Sequence, residues 1–188
     1  MDLLEAIYNR RTVRSFRPDP ISDDVLEKIL EAGTWAPSHG NNQPWEFIII
    51  GQETREKLLK SYREMMEAGP LKSPVLPEDR KERMREFIKN FGGATVLLAV
   101  AYQPPTADVD RYDFPLATAA AIQNICLAAW EKEIGTVWLS FGATPAAKSL
   151  LDIHPEGNIA GILAMGYAAE IPPAQPRISV TEKIRRLP

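Results

Sequence analysis

Apolar positions along this chain follow three rhythms, and each predicts a different element. The first is helical. Val25, Leu26, Ile29 and Leu30 recur at helix spacing behind Ser22, which reads as an N-cap, with Asp23 and Asp24 in the first turn where the macrodipole favours acids. A helix is predicted at the start of the chain as well. Asp2 caps it, Glu5 closes a capping box, and Leu4, Ile7 and Tyr8 form its apolar stripe. Glu53–Ala68 keeps the helical period and reads as a polar helix, and Glu78–Asn90 reads as a charged surface helix. The second rhythm is the short continuous run. Trp45–Ile50, ended by Gly51, and Ala94–Ala101 read as strands, the latter apolar throughout and therefore central and covered on both faces. Thr136–Leu139 and Ile159–Met165 are two more. The third rhythm is Leu116–Glu133, apolar nearly all round through Ala119-Ala120-Ala121-Ile122, which predicts a helix inside the core, with Gly135 as its stop.

Turn signals separate these elements. Arg17-Pro18-Asp19-Pro20 cannot be helical. Gly69–Asp79 holds three prolines and reads as a loop or the base of a lid, and Gln103–Asp110 is a loop containing Pro104-Pro105. Thr144-Pro145 is an N-cap followed by proline at the first helical position, opening a short helix. The last twenty residues are proline-rich and then basic. Long helices flanking several strands, with no repeat and no long linker, give an α+β fold in one domain over residues 1–188.

Composition narrows the function classes. A chain of 188 residues, 45% hydrophobic and 25% charged, can bury a core without staples. A net charge of −3 argues against nucleic acid as the main partner. The single cysteine, Cys126, excludes an internal disulfide and a multi-cysteine metal site, reads as an inert core thiol, and fits a reducing cytoplasm. The acidic start does not read as a signal peptide, and no apolar run is long enough to span a bilayer, so a cytoplasmic protein without membrane or nucleic-acid partners is expected. Dinucleotide, phosphate-loop, zinc-protease and serine-hydrolase motifs are all absent. His39 and His154 carry no metal-ligand spacing, so no metal is expected, and His154 reads as an exposed cap.

Candidate chemistry concentrates in two stretches. Asn9-Arg10-Arg11-Thr12-Val13-Arg14-Ser15-Phe16 puts three arginines into five positions around a hydroxyl. Guanidinium forks and a short hydroxyl bond are what an oxyanion needs, and in an extended backbone Arg10, Thr12 and Arg14 point the same way. The spacing leaves open which anion. The second stretch is Ala36-Pro37-Ser38-His39-Gly40-Asn41-Asn42-Gln43-Pro44-Trp45, where Gln43 and Pro44 read as turn formers and Trp45 as core.

These stretches resemble the N-R-R-[ST]-x-R-x-F and A-P-S-x-x-N-x-Q-P-W-x-F patterns of the nitroreductase family of FMN-dependent oxidoreductases. The likeness continues through Ala121-Ile122-Gln123-Asn124-Ile125-Cys126-Leu127-Ala128-Ala129, Gly135-Thr136-Val137-Trp138-Leu139-Ser140, Gly166-Tyr167 and Pro176-Arg177. The resemblance implies a central, mostly antiparallel sheet flanked by helices, in an intertwined homodimer with two FMN at its interface. It implies hydride transfer from NAD(P)H through the flavin to a nitroaromatic, quinone or related small electrophile. Reductive dehalogenation or enone reduction on the same fold, and a non-catalytic flavin- or phosphate-binding protein, are the alternatives.

By the same resemblance, Arg10, Arg11 and Thr12 hold the FMN phosphate and ribityl chain, with Arg177 as a second clamp. Arg14 lies at the pyrimidine edge of the flavin. Ser38, His39 and Asn41 reach the flavin of the other subunit. Trp138, Leu139 and Ser140 line the flavin face, although Trp138 reads equally well as a core residue. No catalytic acid or base is implied, because hydride chemistry belongs to the cofactor. The tail after Arg177 is shorter than in the larger family members.

Overall fold

β1 (Trp45–Ile49), β2 (Val96–Tyr102), β3 (Ile134–Leu139) and β4 (Asn158–Tyr167) form one antiparallel sheet in the order β1-β2-β4-β3 in the computed structural model, which describes residues 1–188. β2 is interior, as its unbroken apolar run requires, and alternation divides its side chains between two cores. Leu98 and Val100 join Leu163, Met165 and Ile134 under α5 (Asp108–Glu131) and α2 (Asp23–Thr34). Leu97, Ala99 and Ala101 face the other way, with Val137, Leu139 and Ala164, toward α3 (Gln52–Ala68), α4 (Glu78–Asn90) and α6 (Pro145–Leu150). α1 (Leu3–Asn9) packs beside α5. No helix is long and apolar enough to cross a membrane.

The caps follow the sequence in most places. Asp2 accepts from the Glu5 amide at 2.8 Å while Glu5 reaches back to the Asp2 amide at 3.4 Å, and Thr144 accepts from the Ala147 amide at 3.3 Å. Ser22 occupies the N-cap position of α2, but its side chain makes no capping bond.

Four expectations are corrected. α5 begins two turns before Leu116, because the Asp110 carboxylate gathers the Thr106 amide, the Thr106 hydroxyl and the Ala107 amide at 2.7–2.9 Å and so organises an earlier first turn, leaving Pro115 inside the helix. α4 is not wholly a surface helix, since Phe87 and Ile88 are buried in the core. The stripe of α1 is open: Leu4, Ile7 and Tyr8 are exposed, and only Ala6 packs inward. Gly135 does not stop a helix. The chain turns at Glu133, with φ +63°, and Gly135 lies within β3, where a Cβ would stand 2.6 Å from the Val13 side chain.

Candidate active site

Residues Arg10–Arg17 form a strap laid over one end of the sheet. Val13 donates its amide to the Thr136 carbonyl at 3.0 Å, Phe16 to Gly92 at 2.9 Å and Arg17 to Tyr167 at 2.8 Å. Gly135 and Gly166 are paired across β3 and β4, and each leaves the space that a strap side chain fills: Val13 over the first, Phe16 over the second. Gly92, at φ +66°, lies so close under the Arg14 carbonyl that any side chain there would collide with it. Val13 is wholly buried, so the strap is nailed down by its apolar residues while its polar ones are free for other work.

Those polar residues differ in their partners. The Arg11 guanidinium donates to the carbonyls of Tyr8 at 2.7 Å and Arg10 at 2.9 Å. The side chains of Arg10, Thr12 and Arg14 make no hydrogen bond within the chain, and neither arginine has a carboxylate within salt-bridge reach. Alternation implied one shared direction, but the neighbours differ. Arg10 acts on Cys126 of α5, whose thiol is pushed up by burial and eased by a bond with Thr136. Arg14 feels the charges of Tyr62 of α3 and of Arg80 and Arg83 of α4. Burial and those two like charges hold its guanidinium below the ordinary arginine value. Burial pushes the Tyr62 phenol up, with the Arg14 charge opposing.

Thr12 bridges to Thr136, which brings the strap to β3 two residues before Trp138. Trp138 is 40% exposed, donates its indole N–H to the Ala160 carbonyl at 3.1 Å, and lies across Gly161, where any Cβ would strike it. Leu139 is buried and Ser140 exposed, opening the turn Ser140–Ala143.

The second stretch forms a tight, strained loop elsewhere. Ser38 accepts from the Gln43 amide at 3.0 Å, and Gly40, Asn41 and Gln43 all adopt positive φ (56°, 56° and 46°). His39 Nδ1 stands 3.7 Å from Asp113 near the start of α5. Asp113 precedes Cys126 by thirteen residues, so the loop is anchored about 20 Å along α5 from the helix turn that faces the strap. Arg177 lies in an exposed tail with neither a hydrogen bond nor an ion pair. A single chain thus carries Arg10, Arg11, Thr12 and Arg14 on the strap where β3 begins and Trp138, Leu139 and Ser140 where β3 ends, while Ser38, His39, Asn41 and Arg177 lie apart.

Four residues of this neighbourhood escaped the sequence reading: Tyr62, Arg80 and Arg83 around Arg14, and Asp113 under His39. The only available signal was the i, i+3, i+7 spacing of Arg80, Arg83 and Phe87, which places the arginines on the face of α4 that turns inward at Phe87. No group of three or more His, Cys, Asp or Glu side chains is close enough together to hold a metal ion.

A sheet of this topology, carrying this strap at one end, is that of the nitroreductases, and the chain belongs to the nitroreductase family, whose model matches residues 7–167. It is 28% identical to YfhC of Bacillus subtilis (strain 168), an NAD(P)H nitroreductase by name, with 98% of this chain and 94% of that protein covered. The nitrobenzene nitroreductase of Ectopseudomonas oleovorans is 26% identical, covering 95% and 92%. Among solved structures, a nitroreductase of Desulfovibrio desulfuricans in complex with FMN superposes with a TM-score of 0.78 at 26% identity, covering all of this chain and 98% of that one.

Proposed function

We propose that residues 1–188 form one FMN-binding domain of a homodimeric oxidoreductase that passes hydride from NAD(P)H to a nitroaromatic, quinone or related electrophile. One observation carries this reading: a nitroreductase fold presents, at one end of its sheet, a rigid strap whose Arg10, Thr12 and Arg14 have no partners of their own. The donor set fits the cofactor. A phosphate needs guanidinium forks and a hydroxyl with no competing carboxylate, and Arg10 and Thr12 supply them. Arg11 spends only part of its five-donor fork on backbone carbonyls and keeps donors for the same group.

FMN, when bound, supplies the hydride acceptor and donor. The residues hold and tune it. Arg14, already partly desolvated, puts fixed positive charge at the pyrimidine edge, where negative charge must be offset. Trp138, Leu139 and Ser140 flank the ring, with Trp138 fixed by its bond to Ala160. Arg177 is the second phosphate clamp. Ser38, His39 and Asn41 serve the flavin of a second copy, because their loop is held by Asp113 about 20 Å along α5 from the strap side of the same chain. The exposed apolar side chains of α1 (Leu4, Ile7, Tyr8) and of the first half of α5 (Tyr112, Leu116) provide the surface that such a copy would cover.

Purified protein should be yellow with bound flavin, bleach under argon on adding NADH or NADPH, and regain colour when a nitroaromatic or quinone follows. A protein that takes up no FMN, or a yellow protein that neither nucleotide bleaches, contradicts the reading.

A further inference from the structure

The corner where α4 meets α3 beside the strap holds two arginines, Arg14 and Arg80, with no carboxylate within salt-bridge reach. Helical spacing sets Arg83 one turn and Arg80 two turns ahead of Phe87 on a shared face of α4. Phe87 meets the Tyr62 ring edge-on at 6.5 Å, and Phe91, just past the helix, stacks on the same ring at 5.7 Å. Gly92 then seats the Arg14 carbonyl beside Phe87, which brings Arg14 to the α4 face that carries Arg80 and Arg83, and both of their charges act on it. Three of the four acids of α4 are paired, and Glu82 makes no ion pair. Glu78 binds Arg85 at 2.7 Å, Glu86 binds Lys89 at 2.6 Å, and Asp79 takes Arg83 at 2.9 Å in an exposed pair. Arg80 has no acidic partner, and neither has Arg14.

The charges of Arg80 and Arg83 act on Arg14, and such like charges repel one another unless an anion joins them. If Arg14 is at the flavin edge, as in the reading above on which this inference rests, the two α4 arginines stand at the rim of the space over the flavin. We propose that Arg80 and Arg83 bind an oxyanion carried by the molecule that reacts at the flavin, so that the enzyme favours anionic reactants over neutral ones. Arg83 can exchange its solvent-exposed pair with Asp79 for a bidentate contact at little cost, since exposed i, i+4 pairs are weak. The shared chemistry is a carboxylate or phosphate. Its source is either the extra ribose phosphate that distinguishes NADPH from NADH, or an acid group on the electron acceptor.

The test uses wild-type holoprotein and the Arg80→Ala and Arg80→Ala/Arg83→Ala variants. One arm compares kcat/KM for NADPH with that for NADH. The other compares para-nitrobenzoate with para-nitrobenzamide at fixed NADH. In parallel, NADP+, NAD+ and the two nitro compounds are titrated into the oxidised holoprotein and followed by flavin absorbance, which needs no turnover. One charged-to-neutral ratio should favour the charged member in the wild type and fall about tenfold or more in the double variant, in kinetics and in binding alike. The arm that moves identifies the source. Both arginines are solvent-exposed, so melting temperature and flavin content should match the wild type and exclude a folding defect. Unchanged ratios in both arms, on protein that is yellow and bleachable, overturn this inference and leave the functional reading intact. A protein that takes up no FMN overturns both.

Discussion

Arg10 and Thr12 project side chains with nothing to bind in their own chain, whereas Val13 next to Thr12 is wholly buried over Gly135. That division yields two opposite expectations. Arg10→Ala or Thr12→Ala should weaken FMN about ten- to a hundredfold, equivalent to ~1.5–3 kcal/mol of charge-assisted bonding, while apoprotein stability shifts by less. Fluorescence titration and thermal melts of the same preparations compare the two. Gly135→Ala should do the reverse at first hand, costing about 1–3 kcal/mol of folding stability because its Cβ overpacks the Val13 side chain, as a urea midpoint would report. The arginines could be read from the sequence because their chemistry is local. Gly135 could not, because a helix-stopping glycine and a strand glycine that leaves room for a side chain from the other end of the chain look alike until the strap is in place. Arg80, Arg83 and Tyr62 stayed hidden for the same reason: only tertiary packing brings them to Arg14.

α5 shows how far an element can exceed its hydrophobic signal. Its apolar middle is visible in the sequence, but its first two turns are polar and depend on Asp110. That carboxylate is held below the usual aspartate range, chiefly by the Thr106 hydroxyl and then by the Thr106 and Ala107 amides. A depressed folded pKa means that its contribution to stability is fully present above the unfolded value, about pH 3.9, and is lost as pH falls through the folded one. Asp110→Asn should therefore melt below the wild type at neutral pH, and the difference should close on titration below about pH 4. A difference independent of pH would mean that the anchor acts by shape and not by charge. At this scale the strand and helix assignments were largely legible, since continuous runs and helical periods are properties of short windows. The error over α4 arose because two buried residues, Phe87 and Ile88, do not outweigh ten polar neighbours in a pattern.

The single chain leaves α1, the first half of α5 and the tail with exposed apolar groups, and it holds the Ser38–Asn41 loop away from the strap. Both facts fit a second copy. Charged substitutions such as Tyr112→Glu with Leu116→Glu should produce a monomer by light scattering and release flavin along with the partner. Complementation should follow as well. An Arg10→Ala chain mixed with a chain altered at His39 and Asn41 should regain part of the activity once mass spectrometry shows that subunits have exchanged, because one site in each heterodimer is intact. Exchange without recovery would assign the loop to its own chain.

The claim on which all of this depends is that the strap recognises the phosphate of a flavin nucleotide. It is tested most directly by titrating the apoprotein with FMN and with riboflavin, for the wild type and for Arg10→Ala. The wild type should prefer FMN by about a hundredfold, and the variant should lose most of that preference while its riboflavin affinity stays nearly constant. Equal affinity of the wild type for the two flavins, or a preference that survives the loss of Arg10, would contradict the account.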